Sequence, residues 1–438
     1  MNPRLVVLLG CLLLTALDLA YIARYGRSVP IWDDFMVVEP MVGDTPVVSW
    51  LWAQHNFHRI PLPKLIYFIC IKLTHWNFRT SMYLTVLTLG TLSVLLTEGI
   101  RRLRAGRSVY ADLFFPLILM HGGHCANMLL SSQIDLVLPV ATICMTLLLV
   151  CRISDRLTSP LAWQMTGVAC LIFLNGGFGL TFLMTFGCWL IYAGLPSSPS
   201  QSAAPGGNER SSALSILLGL LVLGMLGLYF VGYHRPTDAP RPPGIGAVLA
   251  TSIEFLATMF GTAARKFWNP GIGAIAALIV VTMSLIPLYI WLRRPAERLR
   301  AAGILAFMAG IVGLALGIGW SRSGFGPLYG LQPRYVTLAT MILICAYFVV
   351  ELYTAAKPKR IARSALLFLA LALFLIHIKP AINYGSGQSA LQDQFLSDLR
   401  ARVPREVILE RYVPKIDSDP AELNRYLDRL HRAGVAPY

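Results

Sequence analysis

Trp32-Asp33-Asp34-Phe35 is the only adjacent acidic pair in the chain, and Gln54-His55-Asn56-Phe57-His58-Arg59 follows it further along the same loop. A carboxylate at the edge of a bilayer is partly desolvated, which raises its affinity for a proton and suits it to act as a base on a hydroxyl. The blander reading is a helix cap, with Asp33 or Asp34 accepting backbone N–H bonds. His55, His58, Arg59 and Lys64 gather just before and within the Pro-started apolar stretch at Pro61. Cations beside an apolar groove suit the phosphate of a lipid carrier, whose charge stays at the surface while its chain stays in the bilayer.

The elements that carry these residues are membrane elements. Of the 438 residues 56% are hydrophobic and 13% charged, against about 25% charged in a soluble domain. The formal charge of +15 sits largely in short loops between apolar runs, where Arg and Lys set topology, so nucleic acid is not the expected partner. The eight cysteines show no CxxC or His-spaced metal set and read as small core residues.

Met1 to Ala23 reads as an uncleaved first span. Apolar runs near 80–100, 108–122, 134–151, 160–175, 178–195, 212–233, 270–292, 302–320, 336–354 and 364–378 complete about eleven crossings. That count puts Arg101-Arg102-Leu103-Arg104, Arg152 with Arg156, Arg293-Arg294, and Lys357-Pro358-Lys359-Arg360 on the side of Met1. Pro61–His75 and Gly244–Ala264 are read as helices lying along or dipping into the outer interface, because a full crossing by either one alone would invert the basic loops downstream. The expectation is an all-α polytopic protein with a membrane domain over 1–378, an outer loop at 24–79, and a small polar outer tail over 379–438. Pro196 to Ser212 is a Ser-, Pro- and Gly-rich inner linker.

The fourth outer loop, Trp320 to Arg334, offers glycines that let backbone approach a ligand, together with Arg322, Arg334 and the neighbouring Tyr335. The two arginines can offset charge on a leaving phosphate or bind lipid headgroups. His121-Gly122-Gly123-His124 lacks a third ligand and carries no metal assignment. Asn175-Gly176-Gly177-Phe178-Gly179 reads as a hairpin between spans, and Asp18 and Glu254 are given no role.

This layout resembles the GT-C membrane glycosyltransferases, the superfamily of protein O-mannosyltransferases, lipid A aminoarabinose transferases and oligosaccharyltransferases. The likeness covers the plan from Met1 to about Leu195: a short inner N-terminus, one span, an acidic motif like Trp32–Phe35 opening a large outer loop, and a basic, His-containing stretch like His55–Lys64 before a Pro-started helix. The resemblance implies a GT-C-like bundle in which Asp33, or alternatively Asp34, is the general base. Asp135 stands where the family often has a further acid, although a helix N-terminus also favours a carboxylate there. Arg59 or Lys64 would hold the carrier phosphate.

The function implied is inverting transfer of a sugar from a polyprenyl-phosphate donor to a glycan, lipid or protein acceptor, with no cofactor assigned and a divalent metal compatible but not required. The expected setting is a bacterial inner membrane with the site facing the periplasm, in contact with membrane lipids. The competing class is a lipid-linked sugar translocase without covalent chemistry, for which polar groups near the bilayer midplane are expected.

Overall fold

The computed structural model describes residues 2–153, 156–195, 208–237 and 239–438. The Pro196–Ser212 linker lies outside the described residues as far as position 207. Among the described residues the chain is helical without strands. In chain order, α1 (Pro3–Tyr25) leads into the short α2 (Val38–Val42) and α3 (Val47–Trp52), then α4 (Pro61–Leu73) and α5 (Arg79–Leu103). α6 (Phe114–Leu119), α7 (Cys125–Leu129), α8 (Ile134–Cys151), α9 (Ser159–Asn175), α10 (Leu180–Gly194) and α11 (Asn208–Tyr229) follow. The second half comprises α12 (Ile245–Ala257), α13 (Ala263–Lys266), α14 (Pro270–Arg293), α15 (Arg298–Arg322), α16 (Val336–Tyr353), α17 (Ala356–Arg400), α18 (Arg405–Tyr412) and α19 (Pro420–Arg432).

Among the described residues, 9 helical stretches are long and apolar enough to cross a membrane, so the chain is an all-α, multi-pass membrane protein. The expected eleven crossings include two places that differ from this set. α9 holds 17 residues and is a little short. The run at 108–122 is not one helix: a turn at Tyr110–Leu113, the six-residue α6, a turn at Gly122–His124 and α7 succeed one another. Gly122 and Gly123 are poor helix residues, and the His121 imidazole accepts the Gly123 N–H at 2.9 Å, a side-chain cap in place of helical continuation.

α16 lies at the centre, buried over nearly its whole length, while α1 and α14 turn most of their surface outward. A helix apolar on all sides is placed by its neighbours rather than by a polar face. α10 and α11 approach closely through Gly187 and Gly219: a methyl on Gly219 would stand 2.7 Å from the Gly187 carbonyl. α17 runs 45 residues, about 68 Å at 1.5 Å per residue, more than twice the hydrocarbon thickness of about 30 Å. The 378/379 boundary therefore falls inside a continuous helix that carries Pro380 within it.

Beyond the bundle, α17, α18 and α19 form a cap over the acidic loop. Phe395, Tyr412, Leu423 and Leu427 pack on Val29, Ile31 and Phe35 in a core of their own. The Phe35 and Tyr426 rings stack at 4.8 Å.

The opposite end is locked by charge. The Arg104 guanidinium donates to Asp112 at 2.8 Å and to Glu351 at 2.7 Å, and the Tyr347 hydroxyl donates to Asp112 at 2.8 Å. Lys359 and Arg363 close on Glu351 from α17. Arg104 is 8% exposed in its side chain and Glu351 likewise, so losing one partner strands a buried charge. Arg104→Ala is expected to destabilise the protein by about 3–5 kcal/mol. Thermal unfolding in detergent, with the exposed Arg102→Ala as control, measures this.

Candidate functional site

The acidic pair folds as a 3-10 turn, Trp32–Val37. With about three residues per turn, neighbouring side chains diverge by about 120°, so the two acids face different surroundings. Asp34 is fully buried. Its Oδ1 accepts the Ser132 N–H at 2.6 Å and its Oδ2 the Ile31 N–H at 3.3 Å, while the Tyr67 hydroxyl donates to its backbone carbonyl at 3.0 Å. Burial pushes the Asp34 carboxyl up to about 7 against the opposing pull of the Ser132 and Ile31 hydrogen bonds. Asp34 is thus a buried brace between the loop after α1 and the turn that precedes α8.

Asp33 faces outward, 31% exposed in its side chain. Its Oδ1 lies 3.2 Å from His55 Nε2 and 3.5 Å from Asn56 Nδ2, and its Oδ2 lies 3.9 Å from Arg334 Nη1. Burial by itself would raise the Asp33 carboxyl, but the His55 hydrogen bond and the charges of His55 and Arg334 outweigh it and hold the group well below the usual carboxylate range. Trp32, just before it, has φ +52°, costly for a bulky residue. The C-terminal cap sustains it, because the Trp32 N–H donates to the Ile416 carbonyl at 2.8 Å.

His55 and His58 exchange backbone hydrogen bonds of 2.8 and 3.0 Å, a one-bridge hairpin with Asn56 at φ +50°. Gly176 and Gly177 press against this hairpin: a methyl on Gly176 would strike the Arg59 carbonyl, and one on Gly177 would meet the His58 Cβ at 2.7 Å. The 175–179 turn therefore supports the site. The His58 ring sits 5.1 Å from Phe178. Burial first, then the positive charges of His55 and Arg322, push His58 down to about 3 despite Asp33, so it stays neutral.

Arg59 and Lys64, expected at a carrier phosphate, are instead engaged by backbone. Arg59 is 5% exposed and donates to the Tyr229 and Val231 carbonyls at the end of α11, where a cation offsets the helix dipole. The Lys64 ammonium donates to the Trp50 and Ala53 carbonyls at 2.8 and 2.7 Å, capping α3. Burial lowers Lys64 to about 8.

Arg322 and Arg334 are both half-buried. Arg322 lies 5.0 Å over the Phe57 ring and 5.6 Å from that of Phe325, with no carboxylate partner among the described residues. Arg334 spans between Asp33 and the Tyr335 ring. Tyr335 is 2% exposed and packs edge-on against Phe255, which makes it a support. Asp135 is buried, its Oδ1 has no hydrogen-bond partner, and it lies within electrostatic reach of Asp33 and Arg334.

Glu254 gives no signal in the sequence as a lone acid in an apolar run, yet it orders the loop that presents both arginines. Its carboxylate accepts the N–H of Leu328 at 3.1 Å and of Gly330 at 3.0 Å. Leu328 is held at φ +64°, and a methyl on Gly330 would stand 2.3 Å from the Thr251 carbonyl. α12, expected to lie along or dip into the outer interface, anchors this loop through Glu254 and packs beside α14 and α15.

His121 packs against His124 and His377 as tilted rings with centroids 4.6 and 4.9 Å apart. Most of their nitrogens serve backbone and Thr337: His377 Nε2 accepts the Ala263 N–H at 3.0 Å, and His124 bridges Thr337 Oγ1 and the Ile118 carbonyl, while His121 Nε2 is buried without a hydrogen-bond partner. Among the described residues no group of three His, Cys, Asp or Glu is placed to hold a metal ion.

Two outcomes follow. Asp34 binds a proton more tightly folded than unfolded, so its contribution to stability is full below about pH 4 and declines as pH rises to about 7, by up to about 1.4 kcal/mol per unit. Melting from pH 4.5 to 7.5 should show this decline, and Asp34→Asn should remove it. Glu254→Ala strands two backbone N–H groups at about 1–3 kcal/mol each; hydrogen exchange at Leu328 and Gly330 should quicken at least about tenfold.

Comparison with family models and with curated proteins returned no match, so function is argued from this constellation.

Proposed function

We propose that this chain is a membrane glycosyltransferase of the GT-C type, a bundle of about eleven crossings that moves a sugar from a polyprenyl-phosphate donor to an acceptor hydroxyl on the outer face. The observation that supports this reading is the meeting of Asp33, His55 and Arg334 at one end of an apolar bundle, with Arg322 close by and unpaired with any described carboxylate. The expected setting is a bacterial inner membrane with this end in the periplasm, where the other end carries the basic loops.

The acceptor oxygen attacks the anomeric carbon as the bond from that carbon to the phosphate oxygen breaks, and the bonding pair leaves with the phosphate. One displacement inverts the anomeric centre. Asp33 accepts the hydrogen bond of the incoming hydroxyl, and the proton passes to it once the new C–O bond has acidified that oxygen. A strongly basic carboxylate is not needed at that stage, in keeping with the depressed affinity of Asp33 for protons. Arg334 and Arg322 neutralise the departing phosphate. A neutral His58 adds an N–H without adding charge. Asp135 offers its unpartnered oxygen to a hydroxyl of the donor sugar.

Asp18 supports the second reading, a lipid-linked sugar translocase. Its Oδ2 is buried and unpartnered within α1, and an intramembrane carboxyl marks transport pathways in many proteins. The two readings separate in a deletion strain complemented with single variants. Under the transfer reading Asp33→Asn loses about 10²–10⁴-fold of the sugar-modified product at unchanged protein level, while Asp18→Asn retains it. Full product with Asp33→Asn would end the transfer reading. Activity should also persist on acidification until below about pH 4, because Asp33 stays ionised there.

A further inference from the structure

A cavity of about 460 Å³ is lined by Asp33 and bounded by the acidic loop, the His55 hairpin and the C-terminal cap. Its size falls within the range of about 300–1,000 Å³ typical of small-molecule sites. Arg322, Arg334 and His58 do not line it. Asp33 thus belongs both to the pair with Arg334 and to this cavity. A displacement at carbon needs the leaving phosphate and the attacking hydroxyl on opposite sides; with Arg322 and Arg334, the cations assigned to the phosphate, outside the lining, the cavity is left for the nucleophile.

We propose that this cavity is the acceptor subsite, that residues 417–426 of the C-terminal cap form its outer wall, and that it takes a neutral saccharide. The inference rests on the transfer reading above and names its acceptor class. The indoles of Trp32 and Trp50 and the ring of Tyr426 supply apolar faces for the C–H surface of a sugar. Thr45, Ser49 and Ser418 supply hydroxyl partners. Asp417 and Asp419, without a cation partner among the described residues, accept hydroxyl hydrogens and repel an acidic ligand, while Glu39 and Glu422 are paired with Arg429 and Arg425.

Lys64 adds an independent sign of an occupant. It lines the cavity at 2% exposure, makes two carbonyl hydrogen bonds, and has no ion pair among the described residues. An ammonium has three N–H donors, so one remains for a ligand oxygen. The cap also sets the rim, since Ile416 holds Trp32 in its left-handed conformation.

The test is saturation-transfer NMR on the full chain in lipid nanodiscs, with glucose, galactose and mannose as neutral probes and glucuronate as the acidic one. At least one neutral sugar should bind saturably, with glucuronate at least about tenfold weaker. Asp419→Asn with Glu422→Gln keeps the helix cap and should weaken the neutral sugar about tenfold, the loss of one charge-assisted hydrogen bond. Ser49→Trp fills the cavity and should abolish the signal. The assignment is overturned if no neutral sugar binds saturably, if glucuronate binds as tightly as the neutral probes, or if Ser49→Trp leaves the signal unchanged. Any of these, with Asp33→Asn still abolishing product, removes the cavity assignment alone. Saturable neutral sugar with full product from Asp33→Asn removes the transfer reading instead.

Discussion

The hydrogen bond from the Ser132 N–H to Asp34 Oδ1, at 2.6 Å, is the joint on which the outer end of this protein depends. It ties the loop after α1 to the start of α8 and so sets the distance between Asp33 and Asp135. A buried carboxyl is costly unless its oxygens are satisfied, and Asp34 is satisfied by two backbone N–H groups that would themselves be stranded without it. The adjacent acid is thereby freed. Because the pair sits in a 3-10 turn, fixing one side chain inward aims the other outward, and the acidic pair becomes one buried brace and one partly exposed carboxylate.

The two ends of the bundle treat charge in opposite ways. Around Arg104 every acid has a cation and every cation an acid, and burial makes the set a structural lock. Around Asp33 the balance is incomplete: Arg322 rests on aromatic rings, Asp135 has an oxygen without a partner, and Asp33 meets Arg334 only at 3.9 Å. Unfinished electrostatics of this kind costs stability and is retained where a ligand completes it. Backbone strain gathers at the same end, with Trp32, Asn56 and Leu328 all at positive φ, each held by contacts from another segment.

The cap depends on the length of α17. By continuing past the bundle, that helix carries Phe395 to Tyr412 and both to the residues that precede the acidic turn. Arg27 pairs with Asp393, and Arg429 with Glu39 and Asp44, across the same seam. Exposed pairs of this type are worth little individually; the apolar contact between cap and loop provides the larger share.

From the amino-acid order alone came the membrane class, the approximate position of most long helices, and the gathering of ionisable groups at one end. These follow from composition and run length, because a bilayer-spanning helix needs about 20 apolar residues wherever it sits. The break at 114–129 and the continuity of α17 beyond 378 were decided by packing, since Gly122-Gly123 in an apolar run and polar residues after Pro380 are each compatible with either outcome. The fates of Arg59, Lys64 and Glu254 were also tertiary. Every residue offers a carbonyl and nearly every one an N–H, so sequence cannot say which charged side chain the backbone will claim and which it will leave for a ligand. Asp33 and Asp34 are the same residue type at neighbouring positions, and only the fold, by burying one against Ser132, gives them different chemistry.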